Sequence, residues 1–287
     1  MTLVPTLPSA VNAVRTRLAA TLGQLSAPQR VLPDFLIIGA QRAGTATLYY
    51  NLIRHPCVLA ALRKEVHFFD LESWRGLRWY RGHFPTRRAM EAGRRRHGAA
   101  LTGEATPYYL FHPAAPSRVA ATLPAARLIV LLRNPVDRAY SHYQREVRKG
   151  RESLSFTEAL AREAERLEGD DARLLADPRY RSVPHRQYSY RSRGVYIRQL
   201  RAWTAVFPRD RFLLMESEQL FGDPRRAFAD VAAFLGLPEW DPGEFGKFNE
   251  LHYTPLAPSL RAELEDFYRP YNMELETFLG RRLSWAR

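Results

Sequence analysis

The chain contains almost no cysteine. Cys57 is the one cysteine in 287 residues, which excludes an internal disulfide framework and a zinc cluster built from cysteines. No apolar run approaches the roughly 20 residues that span a bilayer. The first thirty residues also lack a basic segment followed by an apolar one. We therefore expect a cytoplasmic protein with no membrane span. A chain of this length can also bury a core large enough to be stable without a structural metal.

Lysine is also scarce. Only three of the 43 basic residues are lysines, so arginine carries most of the formal net charge of +13. A positive field concentrates anions, which favours a polyanionic partner or an anionic substrate. A solvated basic surface, or a composition set by the genome, explains the same charge equally well. The positions of the arginines have to decide between these interpretations.

Compact apolar runs alternate with helical periodicities, which predicts an α/β fold with a central parallel sheet flanked by helices. Strands are predicted over 34–38, 127–132 and 211–215, and weaker ones over 58–62 and 100–104. Helices are predicted over 45–54, 135–149, 156–176, 196–207, 224–235 and 259–279.

The chain has no internal repeat, no low-complexity tract and no linker long enough to separate two domains. We therefore expect one domain over 31–287. Residues 1–30 are expected to form a helical extension, with an amphipathic helix over 11–25.

The segment after the first predicted strand has the layout of a phosphate-binding loop. Gly39 and Gly44 lie five residues apart, as in a nucleoside-triphosphate P-loop, and a helix is predicted to follow. Glycines there let backbone N–H groups turn towards an anion, and the helix N-terminus adds its dipole. A P-loop has lysine after the second glycine, whereas this chain has Thr45 there and its cation inside the loop as Arg42. A turn without a ligand, and a kinase or NTPase, remain alternatives.

A second anion site is predicted after the strand over 127–132. Arg133 would lie at the carboxyl edge of the sheet, where open α/β folds bind ligands. Pro135 suits the first position of the next helix, and Ser141 lies about two turns into that helix. The guanidinium and the hydroxyl can clamp a phosphate. Alternatively, Arg133 merely pairs with Asp137 at the start of the helix.

Three segments, 35–45, 64–70 and 131–143, together resemble the sulfotransferases, in particular the heparan sulfate sulfotransferase-like branch and its bacterial relatives. The resemblance implies a P-loop-kinase-like sulfotransferase fold. It also implies transfer of a sulfuryl group from 3′-phosphoadenosine 5′-phosphosulfate (PAPS) to an acceptor hydroxyl or amine. The product would be adenosine 3′,5′-bisphosphate, and no metal would be required.

The resemblance also assigns residues to the donor. Arg133 and Ser141 would hold the 3′-phosphate, and Tyr196 would border the nucleotide cleft. The 5′-phosphosulfate would be held by the first loop, Gln41, Arg42, Ala43, Gly44, Thr45, Ala46 and Thr47. Arg42 stands where the family generally has a lysine that contacts the leaving group; it keeps the charge but cannot hand over a proton.

Glu65 is the candidate base, and the resemblance places the family's catalytic glutamate at this position. The apolar pair that follows, Phe68 and Phe69, is expected to raise its pKa towards a useful range. His67 is a competing base, which faces the same side as Glu65 if the segment is extended. A surface ion pair between Lys64 and Glu65 is the alternative without catalysis.

The acceptor is predicted only as a carbohydrate or a small natural product, anionic ones included. Ala105 replaces a lysine that the heparan sulfate enzymes often use near the acceptor. Residues 179–193 interleave arginine with tyrosine. They can attract an anionic acceptor, bind phosphates as a nucleic-acid site does, or form a solvated loop. No nucleic acid partner is expected. The two rival functions are a nucleotide kinase or NTPase and a non-catalytic polyanion-binding protein.

Overall fold

A computed structural model describes residues 23–241, 243–248 and 253–285. Most of the predicted amphipathic helix over 11–25 therefore lies outside the described residues, apart from 23–25, which are helical. In the described ranges, no helix combines the length and the apolar character needed to cross a membrane.

A parallel sheet of five strands forms the centre of the fold. The strands are β1 (Phe35–Gly39), β2 (Val58–Ala60), β3 (Leu101–Ala105), β4 (Arg127–Leu132) and β5 (Phe212–Glu216). Their order across the sheet is β2-β3-β1-β4-β5, and every pairing is parallel. The central strand β1 is buried along its whole length, because helices cover both faces of such a sheet. The predicted α/β architecture is thus confirmed.

Helices connect the strands and follow the last one. They are α1 (Thr45–Leu52), α2 (Gly76–Arg81), α3 (Arg87–His97), α4 (Ala115–Thr122), α5 (Pro135–Arg148), α6 (Phe156–Ala161), α7 (Glu163–Leu167), α8 (Asp170–Ala176), α9 (Val183–Gln187), α10 (Tyr196–Thr204), α11 (Ser217–Gly222), α12 (Pro224–Leu235) and α13 (Pro258–Leu279). Proline at the first turn and a capping side chain fix the beginnings of α5 and α12, where Asn134 and Asp223 accept backbone N–H groups.

The single helix predicted over 156–176 is wrong, because this segment forms α6, α7 and α8. Ser155 and Glu158 make a capping box that begins α6. Glu168 then leaves helical geometry, and Gly169 has a φ of 72° before α8 begins. The unpredicted helix α3 buries only Met90, so it has no apolar stripe that the hydrophobic periodicity could reveal.

The described part of the extension, from residue 23, packs on the domain. The Arg30 guanidinium donates to the Phe84 carbonyl at 2.5 Å, and Arg30 forms an isolated antiparallel bridge with Thr86. The backbone of Gly23 also lies against that of Gly82. These contacts attach residues 23–30 to the segment after α2, on the side of the sheet where β2 and β3 lie.

The strand order determines where a ligand can bind. Strand β1 lies between β3 and β4, so the carboxyl ends of these three strands meet at one edge of the sheet. Thr106, the loop over 40–44 and Arg133 follow those strand ends directly. Ligands of open α/β sheets bind at this edge, where connections leave in opposite directions.

We expect Gly103→Ala to destabilise the sheet. Gly103 pairs with Phe35, and a Cβ added to Gly103 would lie 2.5 Å from the Phe35 carbonyl oxygen. Because both atoms belong to paired central strands, neither strand can move away to relieve this clash. Such overpacking should lower the free energy of unfolding by about 1–3 kcal/mol, measured by urea denaturation. Gly222→Ala is the matched control, because, apart from its chain neighbours and its own helix backbone, no described atom lies within 4 Å of its added Cβ. Equal free energies of unfolding for the two variants would show that a Cβ at position 103 is accommodated without overpacking against Phe35.

Candidate active site

A cleft of about 970 Å³ opens at the carboxyl edge of the sheet. One wall is the loop after β1 together with the start of α5, and the facing wall carries Lys64 and Glu65. Eight of the predicted site residues line this cleft: Gln41, Arg42, Gly44, Thr45, Ala46, Glu65, Arg133 and Ser141. The fold therefore brings the two predicted phosphate sites and the candidate base around one space.

The loop after β1 is tied down from both sides. The Ala40 N–H donates to the Leu131 carbonyl at 2.6 Å, and the Ser217 hydroxyl donates to the Ala43 carbonyl at 2.5 Å. Gly44 precedes α1 with a φ of 93°, and an added Cβ would lie 3.1 Å from the Phe221 ring. Glycine is therefore required at position 44. The hydrogen bond from Ser217 to the loop was not predicted, because no local sequence pattern indicates it.

Arg42 joins the loop to the second predicted phosphate site. Its Nε donates to the Ser141 hydroxyl at 3.0 Å, while the Arg133 guanidinium donates to the Arg42 carbonyl at 3.1 Å. Burial, and then the positive charges of Arg145 and Arg133, lower the pKa of Arg42 to about 10. Within the described ranges neither Arg42 nor Arg133 pairs with a carboxylate. This crowding of positive charge favours an anionic ligand.

Three predicted donor residues lie behind the cleft wall rather than in it. Tyr196 is buried, and its hydroxyl donates to the Arg133 carbonyl at 2.9 Å. The Thr47 hydroxyl accepts the Phe248 N–H at 3.1 Å, which attaches the described part of the C-terminal loop to α1. Ala43 is fully buried. These residues support the parts of the wall that face a ligand.

The basic aromatic segment over 179–193 divides between the interior and the surface. Arg193 is buried, donates to the Gln41 side chain and packs over the Phe111 ring at 4.8 Å. The sequence does not single out this arginine, because its partner lies 152 residues away. Arg179 instead ends a row of alternating arginine and tryptophan side chains, which is exposed except at the partly buried Trp79. The row consists of Arg63, Trp79, Arg75, Trp74 and Arg179, with ring-to-guanidinium distances of 4.7–5.6 Å.

Glu65 lies within a chain of charged side chains. The Lys64 Nζ is 2.5 Å from its Oε1, and the His67 Nε2 is 3.3 Å from its Oε2. On its other side, the His67 Nδ1 is 2.7 Å from the Oδ2 of buried Asp70. His67 has a φ of 59°, so the segment turns at this residue instead of remaining extended. The Lys64–Glu65 pair exists, and it lies in the wall of the cleft.

The expectation of a raised pKa for Glu65 is wrong. Burial does raise the pKa of Glu65, but the hydrogen bond from His67 and the charge of Lys64 outweigh it and lower this pKa to about 2. Burial lowers the pKa of His67, whereas Asp70 and then Glu65 raise it to about 9. At neutral pH this geometry therefore holds a glutamate carboxylate beside an imidazolium.

Part of the C-terminal loop reaches the mouth of the cleft, where Lys247, Phe248 and Tyr253 line it. Asn51 accepts the Gly246 N–H at 3.2 Å and donates to its carbonyl at 2.9 Å. The Tyr140 hydroxyl donates to the Thr254 carbonyl at 3.0 Å. The loop is thus anchored on α1 and on α5. Among the residues described, no three His, Cys, Asp or Glu side chains cluster as a metal site would require.

Comparisons with known proteins identify the class. The family model described as "Sulfotransferase domain" matches residues 32–248, and the chain belongs to this family. The crystal structure of a sulfotransferase from Alicyclobacillus acidocaldarius is 31% identical, with a TM-score of 0.66 over 90% of this chain and 100% of that one. The resemblance inferred from the motifs is therefore confirmed.

Two curated relatives extend the comparison. Heparan sulfate glucosamine 3-O-sulfotransferase 3A1 of Mus musculus is 30% identical over 278 residues, which cover 88% of this chain and 64% of that protein. Membrane-associated sulfotransferase kil1 of Dictyostelium discoideum is 24% identical over 320 residues, covering 88% and 66% respectively. The chain thus spans about two thirds of the length of these relatives.

The ion pairs of His67 predict a pH dependence of stability. Its pKa is about 9 in the fold, against 6.5 for a free imidazole, so its contribution is complete below about pH 6.5 and is lost as the pH rises to about 9. We expect the difference in unfolding free energy between the unaltered chain and His67→Gln to shrink across this window in urea denaturation. A difference that is constant from about pH 6 to pH 9.5 would contradict the raised pKa.

Proposed function

We propose that this chain transfers a sulfuryl group from PAPS to an acceptor hydroxyl or amine. The observation that carries the proposal is that one cleft joins a phosphate-binding loop, an arginine–serine pair and an ionised glutamate. Membership of the sulfotransferase family supports the reaction class.

The donor half of the cleft fits a nucleotide with two separate anionic groups. The loop over 39–47 offers backbone N–H groups and the start of α1 to the 5′-phosphosulfate. Arg133 and Ser141 would hold the 3′-phosphate, supported from behind by the Tyr196 hydroxyl. Arg42 contacts Ser141 from within the loop, which supports a role for it in neutralising charge on the departing bisphosphate.

The acceptor half supports Glu65, rather than His67, as the base. An imidazolium with a pKa of about 9 is already protonated at neutral pH and cannot accept a proton. Glu65 is ionised, and its Oε1 and Oε2 point to Lys64 and His67. An acceptor hydroxyl that displaces one of these partners would meet a free carboxylate oxygen, in line with the sulfuryl group on the loop.

A carbohydrate or small natural product is the proposed acceptor, with anionic ones included. The name of one curated relative specifies heparan sulfate glucosamine, which supports a sugar. The exposed arginine–tryptophan row begins at Arg63, whose guanidinium donates to the Val66 carbonyl at 2.5 Å, next to the candidate base. Ala105 argues against assuming a heparan-type acceptor, since those enzymes often have lysine there.

Calorimetry with adenosine 3′,5′-bisphosphate tests the donor site. We expect metal-independent binding, and a loss of about 10- to 100-fold in Arg133→Ala, because a charged hydrogen bond to the 3′-phosphate contributes about 1.5–3 kcal/mol. Binding of 5′-AMP should change far less. Arg148→Ala is the matched control, since the Arg148 side chain lines the cleft but makes no hydrogen bond or ion pair with a described residue of the loop.

Three results would contradict the donor assignment. Equal losses for the bisphosphate and 5′-AMP in Arg133→Ala would refute the 3′-phosphate site. A preference for ADP that requires Mg²⁺ would indicate a kinase. Steeply salt-dependent binding of polyanions, without any binding of nucleotides, would indicate a non-catalytic polyanion-binding protein.

Glu65→Gln tests the base. We expect turnover of PAPS with a panel of sugar and aryl acceptors to fall by about 10²- to 10⁴-fold, because the amide cannot accept the proton. Affinity for adenosine 3′,5′-bisphosphate should stay nearly unchanged. Glu218→Gln is the control, because Glu218 also lines the cleft and its amide can still accept the Asn134 N–H. An active Glu65→Gln enzyme would show that Glu65 is not the base.

A further inference from the structure

The segment that carries Glu65 and His67 has little regular structure of its own, yet its backbone is firmly held. Three consecutive N–H groups donate to side chains at or just after the end of β3. These bonds are Val66 to the Glu104 Oε2 at 3.1 Å, His67 to the Thr106 hydroxyl at 3.4 Å, and Phe68 to the Tyr109 hydroxyl at 2.8 Å. The Ala105 N–H also donates to the Lys64 carbonyl at 3.1 Å.

These contacts converge on the carboxylate of Glu104. The Thr106 hydroxyl donates to it at 2.6 Å, the Tyr80 hydroxyl at 2.8 Å and the Tyr109 hydroxyl at 3.0 Å. Because Thr106 and Tyr109 accept backbone N–H groups from the segment, their own O–H groups are free to turn towards Glu104. Each Glu104 oxygen thus receives two donors, which is the full demand of an ionised carboxylate.

Glu104 is completely buried, and it does not line the cleft. Burial raises the pKa of this carboxyl, and the hydrogen bonds from Thr106, Tyr80, Val66 and Tyr109 reduce that rise without cancelling it. Burying a carboxylate costs free energy unless the group is fully hydrogen-bonded. A buried carboxylate with four donors therefore indicates that the hydrogen-bond network around it has a role in the structure. The proposed reaction assigns Glu104 no direct step.

We propose that Glu104 is a positioning residue for the candidate base. Its carboxylate orients Thr106 and Tyr109, and the three side chains together fix the peptide groups of 66–68. This fixes the left-handed turn at His67, whose φ of 59° brings its Nε2 to Glu65 and its Nδ1 to Asp70. The catalytic meaning of this geometry rests on the proposed function, whereas the geometry itself can be tested without any acceptor.

Two tyrosines provide a matched pair of variants. Tyr80 and Tyr109 are both buried, both donate to the Glu104 Oε1, and both pack against Phe69. Only the Tyr109 hydroxyl also accepts a backbone N–H of the segment. Tyr109→Phe therefore removes the link to the segment, while Tyr80→Phe removes a donor to Glu104 and nothing from the segment.

The measurement is the titration of His67, monitored by NMR of protein labelled with ¹³C-histidine. The His67 resonance is identified by its absence from the spectrum of His67→Gln. Lys64, Glu65 and Asp70 contact this imidazole or its partner Glu65, while Lys149 interacts electrostatically with Glu65, and Arg118 and His112 with Asp70. We expect the His67 midpoint to fall by about one pH unit or more in Tyr109→Phe and to stay in place in Tyr80→Phe. Affinity for adenosine 3′,5′-bisphosphate should stay within about twofold in both variants.

Thr106 provides a second, milder test. Thr106→Val removes the acceptor of the His67 N–H and one donor to Glu104, and Thr106→Ser restores both. We expect the His67 midpoint to fall in the first variant and to recover in the second. Equal shifts in both tyrosine variants, no shift in either, or no rescue by serine would overturn the positioning role. An active Glu65→Gln enzyme with these shifts intact would overturn the base assignment and leave the positioning role standing.

Discussion

Crowding of positive charge around the largely buried Arg42 is the constraint on which this site depends. Strand order places the loop after β1 beside the end of β4, so Arg42 and Arg133 are forced together, and Arg145 reaches them from α5. Hydrogen bonds from Arg133 to the Arg42 carbonyl and from Arg42 to the Ser141 hydroxyl hold these side chains in place. A bound anion would relieve the repulsion, so the rigidity of the sheet edge would favour binding.

The facing wall is organised differently. Here the carboxylate of Glu65 is accessible and the carboxylate of Glu104 is buried, and the short segment between Lys64 and Phe68 connects them. In the proposed reaction, the buried carboxylate would set the backbone and the accessible one would meet the acceptor. The proposed donor and acceptor functions would thus depend on separate parts of the sheet, namely the ends of β1 and β4 for the donor and the end of β3 for the acceptor.

Much of this was predictable, because buried strands and proline-started helices leave local signals. The apolar runs predicted β1 and β4. The prolines at positions 135 and 224 predicted where α5 and α12 begin. The pKa of Glu65 was not predictable from its neighbours in sequence, because Phe68 stacks on Tyr80 at 4.4 Å instead of surrounding the carboxylate. The roles of Glu104 and Arg193 were not predictable, because each depends on a distant partner: Tyr80 lies 24 residues from Glu104, and Gln41 lies 152 residues from Arg193.

The pairing of Glu65 with Lys64 and His67 has a further consequence for the proposed chemistry. A carboxylate with a pKa of about 2 and two cationic partners is too weak a base to activate a water molecule efficiently. Only an acceptor that fits the cleft well enough to displace a partner would restore its basicity. The ion pairs would thus protect a bound donor from idle hydrolysis, so that an activated sulfate waits for its proper acceptor rather than being lost to solvent.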